Sequence, residues 1–260
     1  MTEFSDGAPN EFSGKVVVVT GASVGIGRAI ARAFAGAGAS LVLAARDLDA
    51  TRAAATAIES ETGSRTLAVR ADVSIAPECG ELIDAAVRHF GSVDVLVNNA
   101  AYFALASLLG IGSQEALRFL QTNLLGPMFC SQAMARWVVA NRRKGTIVNV
   151  SSISALRPAP GCGLYSASKA ALDSLTKAMA LEWTRKGVRV NGVAPGHVRT
   201  AGVAGDIASG RLDPEALRRA IPAGDIAEVE DVAAAVVFLA SARSRHIVGA
   251  TLTVDGGEGL

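Results

Sequence analysis

The stretch Lys15-Val16-Val17-Val18-Val19-Thr20-Gly21-Ala22-Ser23-Val24-Gly25-Ile26-Gly27 decides the fold. Four successive valines show neither a helical period nor a polar alternation, as expected of a strand buried on both faces. A glycine-rich turn follows at once, and Gly25–Ala37 continues with apolar residues at helical spacing. Strand, turn and helix in that order open a βαβ unit. Outward from it, β-branched runs alternate with Ala-rich stretches. Strands are expected at Lys15–Thr20, Ser40–Ala45, Arg65–Arg70, Val93–Val97, Thr146–Val150, Val188–Val193 and Ala250–Val254. Crossover helices are expected at Gly25–Ala37, Pro77–Phe90 and Leu164–Arg185, with a further long helix over Gln114–Asn141.

The fold class expected is α/β: a single-domain, Rossmann-like doubly wound sheet of seven mainly parallel strands flanked by helices. Residues 14–260 read as one domain, after a flexible N-terminal tail at 1–13. That tail is polar and acidic near its start, unlike a signal peptide. No apolar run is long enough to span a bilayer. Lys plus Arg number 25 against 24 Asp plus Glu, so no basic surface points to nucleic acid or an anionic membrane. Cys79, Cys130 and Cys162 are odd in number and widely spaced, which fits reduced thiols in a cytoplasmic protein. His89, His197 and His246 lack the spacing of metal ligands, and no metal is expected.

Thr20, Arg46, Asp72, Asn98, Ser151 and Pro195 all fall at or just past strand C-termini, the edge where open α/β sheets bind ligands. Gly21 allows the tight exit from the first strand. Gly25 allows backbone to approach a diphosphate, and Gly27 allows close helix packing. The free N–H groups of the following helix complete a dinucleotide site. The second strand ends Ala44-Ala45-Arg46-Asp47, with Ala45 where an NAD-selecting acid would stand. Arg46, aided by Ser23, suits the 2′-phosphate of NADP. Asp47 reaching the ribose is the competing reading, and it would favour NAD.

Tyr165 and Lys169 stand four residues apart on one helix face, where an ammonium can stabilise tyrosinate. With Thr20–Gly27, Asp72-Val73, Asn98-Asn99-Ala100, Asn123, Ser151-Ser152, Pro195-Gly196 and Asp255-Gly256-Gly257, they form an ordered set. By that set the chain resembles the short-chain dehydrogenase/reductase family, in its compact single-domain branch, from Gly14 to Gly257. The resemblance implies a catalytic group of Asn123, Ser152, Tyr165 and Lys169. Tyr165 would be the general acid/base, with Ser152 holding the substrate oxygen. Lys169 would bind the nicotinamide ribose and lower the tyrosine pKa, and Asn123 would anchor a relay water. It implies cofactor contacts from Gly21, Ser23, Val24, Gly25, Ile26, Gly27, Arg46, Asp72, Val73, Asn99, Ala100, Tyr165, Lys169, Pro195, Gly196, Val198 and Thr200. Asn98 would tie strands together.

Two positions depart from the family pattern. Ala101 stands where glycine usually follows Asn-Asn-Ala, and Pro222-Ala223-Gly224-Asp225 ends in an acid where arginine is common. Gly/Ala-rich residues 201–221 fall where the family has its substrate lid, and read as a short flexible cover. Asp213-Pro214-Glu215 is a helix-start signal inside it. Tyr102, Ser154, Leu156, Cys162, Leu164 and His197 are candidate pocket walls, with a second acid–base role for His197 left open. The helices at Gln114–Asn141 and Leu164–Arg185 carry more apolar residues than one sheet face can cover, and the resemblance implies that they pair with a twin subunit's helices, as a homotetramer or homodimer, the alternative being that all are core. The expected activity is NADP(H)-dependent interconversion of a small-molecule carbonyl and alcohol. NAD-dependent alcohol oxidation and a non-catalytic dinucleotide sensor are the alternatives.

Overall fold

The computed structural model describes residues 10–260. Its elements are β1 (Val16–Thr20), α1 (Gly25–Gly36), β2 (Ser40–Ala45), α2 (Leu48–Thr62), β3 (Thr66–Arg70), α3 (Ala76–Phe90) and β4 (Val95–Asn98). There follow α4 (Ser113–Leu120), α5 (Gly126–Ala140), β5 (Gly145–Val150), α6 (Gly163–Trp183) and β6 (Val188–Pro195). The chain closes with α7 (Ala201–Ala208), α8 (Pro214–Ala220), α9 (Val229–Ala240) and β7 (Thr251–Val254).

All strands join one sheet in the order β3-β2-β1-β4-β5-β6-β7, and every pairing is parallel rather than mainly so. The valine run of β1 serves both faces. Val17 and Val19 pack in the layer with α1 and α9, while Val16 and Val18 pack in the layer with α3 and α5. The winding reverses between β1 and β4, which opens a crevice over their C-terminal ends. Burial on both faces holds for the central strands only: β3 and β7, at the sheet edges, are half-buried or exposed.

Three other expectations change. The helix expected over Gln114–Asn141 is broken by a π turn at Gln121–Leu125, between α4 and α5. Pro127 has no N–H to give the carbonyl four residues back, that of Asn123, and the chain widens there. The cover at 201–221 holds two short helices, and Asp213 caps the second by accepting from the Glu215 N–H at 2.9 Å. Of the expected tail, residues 1–9 lie outside those described. Phe12 is buried edge-on against Phe34, and its N–H donates to the Ala37 carbonyl at 2.9 Å. The folded chain therefore reaches back past Gly14.

Candidate active site

Gly21 and Gly25 both adopt left-handed backbone, φ +65° and +56°, so the turn leaves β1 sharply and re-enters α1. No side chain caps α1, so its first N–H groups remain available to an anion. A Cβ on Gly27 would lie 2.2 Å from the Gly21 carbonyl oxygen, so Gly27 sets the close approach of helix to turn. Thr20, at the end of β1, and Asn99, just past β4, lock this geometry. The Thr20 hydroxyl accepts from the Asn99 and Ala100 N–H groups at 3.0 and 3.1 Å. The Asn99 amide donates to the Thr20 and Gly21 carbonyls at 2.9 and 3.1 Å. Asn98 is buried and ties strands, donating to Asn149 Oδ1 at 2.8 Å and Ser131 Oγ at 2.9 Å.

A cleft of about 810 Å³ runs along this edge. Gly21, Ser23, Val24, Gly25 and Ile26 line its phosphate end, facing Thr200. Arg46, Asp72 and Val73 line the far end, with Asn99 and Ala100 between. The glycine cradle, the uncapped helix start and the cation at the ribose end together fit a dinucleotide. Asp47 also lines the cleft, but its carboxylate caps α2 by accepting from the Ala50 N–H at 3.0 Å. Burial raises the pKa of Asp72, yet hydrogen bonds from Ser74 and the charges of Arg46 and Arg70 hold it below the usual range. Thr200 caps α7, its hydroxyl accepting from the Val203 N–H at 3.3 Å.

Not every candidate lines the cleft. Gly27 stays behind the turn, Pro195, Gly196 and Val198 stand at or just past the end of β6 outside the lining, and Tyr165 and Lys169 also lie outside it. Val198 is buried and bridges to Ala227. Arg118, in α4, and Gln121 and Thr122, in the π turn, do line it and were missed. The signal was Pro127, four residues after Asn123.

Ser152 and the α6 pair stand at the C-terminal ends of β5 and β6. Ser152 opens a 3-10 turn, Ile153–Ala155, its hydroxyl accepting from the Ser154 N–H at 3.1 Å. Lys169 is 2% exposed, and its ammonium donates to the Val150 carbonyl at 2.8 Å. Burial brings its pKa down to about 8, against an opposing pull from Asp173. The ammonium is 5.7 Å from the centre of the Tyr165 ring. Burial pushes the Tyr165 phenol up, with the Ser152 hydroxyl pulling the other way.

Asn123, fully buried, clamps the segment after β4. Its Oδ1 accepts from the Tyr102 N–H at 2.7 Å, and its amide donates to the Tyr102 carbonyl and Ser168 Oγ at 2.9 and 3.1 Å. His197 is engaged as well. Its Nδ1 pairs with Glu258 Oε1 at 2.6 Å, and its N–H donates to Glu258 Oε2 at 3.0 Å. Arg157 reaches the Glu258 carbonyl at 2.8 Å. The cysteines are free thiols. Among the described residues no His/Cys/Asp/Glu cluster could hold a metal, and no helix is long and apolar enough to cross a membrane.

Comparison with known proteins agrees with this arrangement. A family model described as Enoyl-(Acyl carrier protein) reductase matches residues 21–258. The 3beta-hydroxysteroid dehydrogenase 1 of Eggerthella lenta is 40% identical, over 96% of this chain and 96% of its own length. The L-rhamnose 1-dehydrogenase (NAD(P)(+)) of Azotobacter vinelandii is 41% identical, over 94% and 96%. The solved structure of a Serratia marcescens short-chain dehydrogenase/reductase mutant superposes with a TM-score of 0.87 at 33% identity, covering 96% of this chain and all of that one. The chain belongs to the short-chain dehydrogenase/reductase family, oxidoreductases that use a nicotinamide dinucleotide.

Proposed function

We propose that this protein is an NADP(H)-dependent oxidoreductase that interconverts a carbonyl and a primary or secondary alcohol, with Tyr165 as general acid/base. The observation that carries the reading is the grouping of Ser152, Tyr165 and a buried Lys169 at the C-terminal end of β5, on the same sheet edge as the dinucleotide-shaped cleft. The dinucleotide, when bound, supplies or accepts the hydride. In reduction the Tyr165 hydroxyl delivers its proton to the substrate oxygen, and Ser152 Oγ holds that oxygen as charge develops. Lys169 donates one N–H to Val150 and keeps two for the ribose and the phenol. Its charge favours tyrosinate when the reaction runs as an oxidation.

Asn123 acts as a positioning residue. Both hydrogens of its amide are taken, so a water relay would pass by its backbone rather than its side chain. NADP is favoured by Arg46 in the cleft, while the neighbouring acid, Asp47, is committed to capping α2. The names of the relatives, a hydroxysteroid and a sugar dehydrogenase, support a carbonyl/alcohol couple. Assembly into a homotetramer or homodimer is supported by Leu117, Leu125, Val139 and Leu181, exposed on or between α4, α5 and α6.

The test is NADPH and NADH consumption on a carbonyl panel by wild type, Tyr165→Phe and Arg46→Ala. Tyr165→Phe should lose about 10³-fold in kcat while still binding NADPH. Arg46→Ala should raise the NADPH KM by roughly 10-fold or more and leave NADH use nearly unchanged. Turnover at the wild-type rate by Tyr165→Phe would overturn the mechanism. Unchanged NADPH preference in Arg46→Ala would overturn the cofactor assignment.

A further inference from the structure

We infer that the substrate carries a bulky apolar body next to its reacting carbon, and that polyhydroxylated chains are poor substrates. The inference rests on the carbonyl/alcohol reading above and adds what the site admits.

A second groove, of about 550 Å³, lies between the segment after β4 and the segment after β5. Leu105, Leu108 and Leu109 form one wall, and Pro158 and Pro160 the other. No lining side chain is charged. Its single side-chain hydroxyl, on Ser107, already accepts from the Leu109 N–H at 3.3 Å. A ligand rich in hydroxyls would shed water here and gain almost no partners, which costs affinity at every group. An apolar body loses nothing by the same transfer and gains the hydrophobic term.

The groove lies close to the reacting groups. Gly163 lines it and opens α6 two residues before Tyr165. A Cβ on Gly163 would lie 2.8 Å from the Leu108 side chain, so the leucine wall sits directly on the start of that helix. Phe103, two residues before Leu105, stands edge-on to the Tyr165 ring at 5.1 Å between centroids. Leu156, four residues past Ser152, is exposed as well. Leu105, Leu108 and Leu109 are 61%, 65% and 102% exposed, a contiguous apolar surface of the kind that marks a binding site.

The experiment compares kcat/KM for cyclohexanone, 2-decalone and a six-carbon ketose on the NADPH-loaded full chain. Binding of each is followed by NADPH fluorescence. 2-Decalone should exceed cyclohexanone by roughly tenfold or more, as its added methylenes are buried, with the ketose far below both. Leu108→Asn should shrink that ratio without changing the sedimentation mass. A ketose preference, or indifference to ring size, would overturn the inference. So would a Leu108→Asn protein whose mass falls while the ratio holds, because the leucines would then face a second copy of the chain. Binding of 2-decalone without turnover would uphold the inference and sink the carbonyl chemistry instead. Failure to bind 2-decalone at all would sink the inference.

Discussion

The two halves of the active edge are built on opposite terms. Around the glycine turn nearly every polar group is spent on another: Thr20 and Asn99 between them make five hydrogen bonds that fix β1, β4 and the turn. Around the groove beyond Tyr165, side chains face outward with little to hold them, and Leu109 is fully exposed. One half is preorganised by backbone and can accept only a molecule of fixed shape. The other presents chemistry without a template, which suits a site whose ligand varies while the cofactor does not.

That contrast breaks most severely at Gly27. Gly27→Ala places a methyl 2.2 Å from the Gly21 carbonyl and 2.4 Å from the Asn99 amide, and backbone cannot yield as a side chain would. A loss of about 1–3 kcal/mol or more is expected, with NADPH affinity falling in step. Thermal melts and an NADPH fluorescence titration check both. A variant that melts and binds like wild type would mean the turn is loosely held.

The next effect is at the half-buried ion pair His197–Glu258, which links the loop after β6 to the C-terminal segment. The hydrogen bond to Glu258 raises His197 above its ordinary 6.5. Burial would raise Glu258, but His197 holds it below its ordinary 4.5. The histidine's contribution is complete below 6.5 and lost as pH rises through its raised value. The carboxylate's is complete above 4.5 and lost as pH falls. The pair therefore stabilises most between about pH 4.5 and 6.5. Glu258→Gln should lower the melting temperature most in that window and less at pH 8. A deficit independent of pH would assign Glu258 to packing alone.

The smallest effect is at Leu109. Leu109→Gln should change stability by no more than about 0.5 kcal/mol, since a fully exposed side chain has no packing to lose. A drop of several kcal/mol in a urea titration would show that the groove is structural after all.

The same contrast governs what could be read from the chain. The valine run, the glycines and the strand ends carry their instructions locally, in period and φ, so β1 through β7 fall close to expectation. Tyr165 and Lys169 share a helix face by spacing alone. What escaped depended on partners distant in sequence. Asn99 bonds across to the turn, and Phe12 docks on Phe34. Burial, not the ammonium, dominates the Tyr165 phenol, and no motif encodes burial.

The π turn at Gln121–Leu125 has a consequence for how this protein tolerates change in length. It holds one residue more than a regular helix would over the same span. Deleting a residue there would let the turn close to ordinary α-helical width, with α4 and α5 keeping nearly the phase they have now. The change would fall on the turn itself, where Asn123 clamps the Tyr102 backbone on both sides and Gln121 and Thr122 line the cleft. A residue removed from the regular turns of α4 or α5 meets no such slack and would rotate one helix against the other by about 100°. Length is therefore more forgiving at the turn than on either side of it.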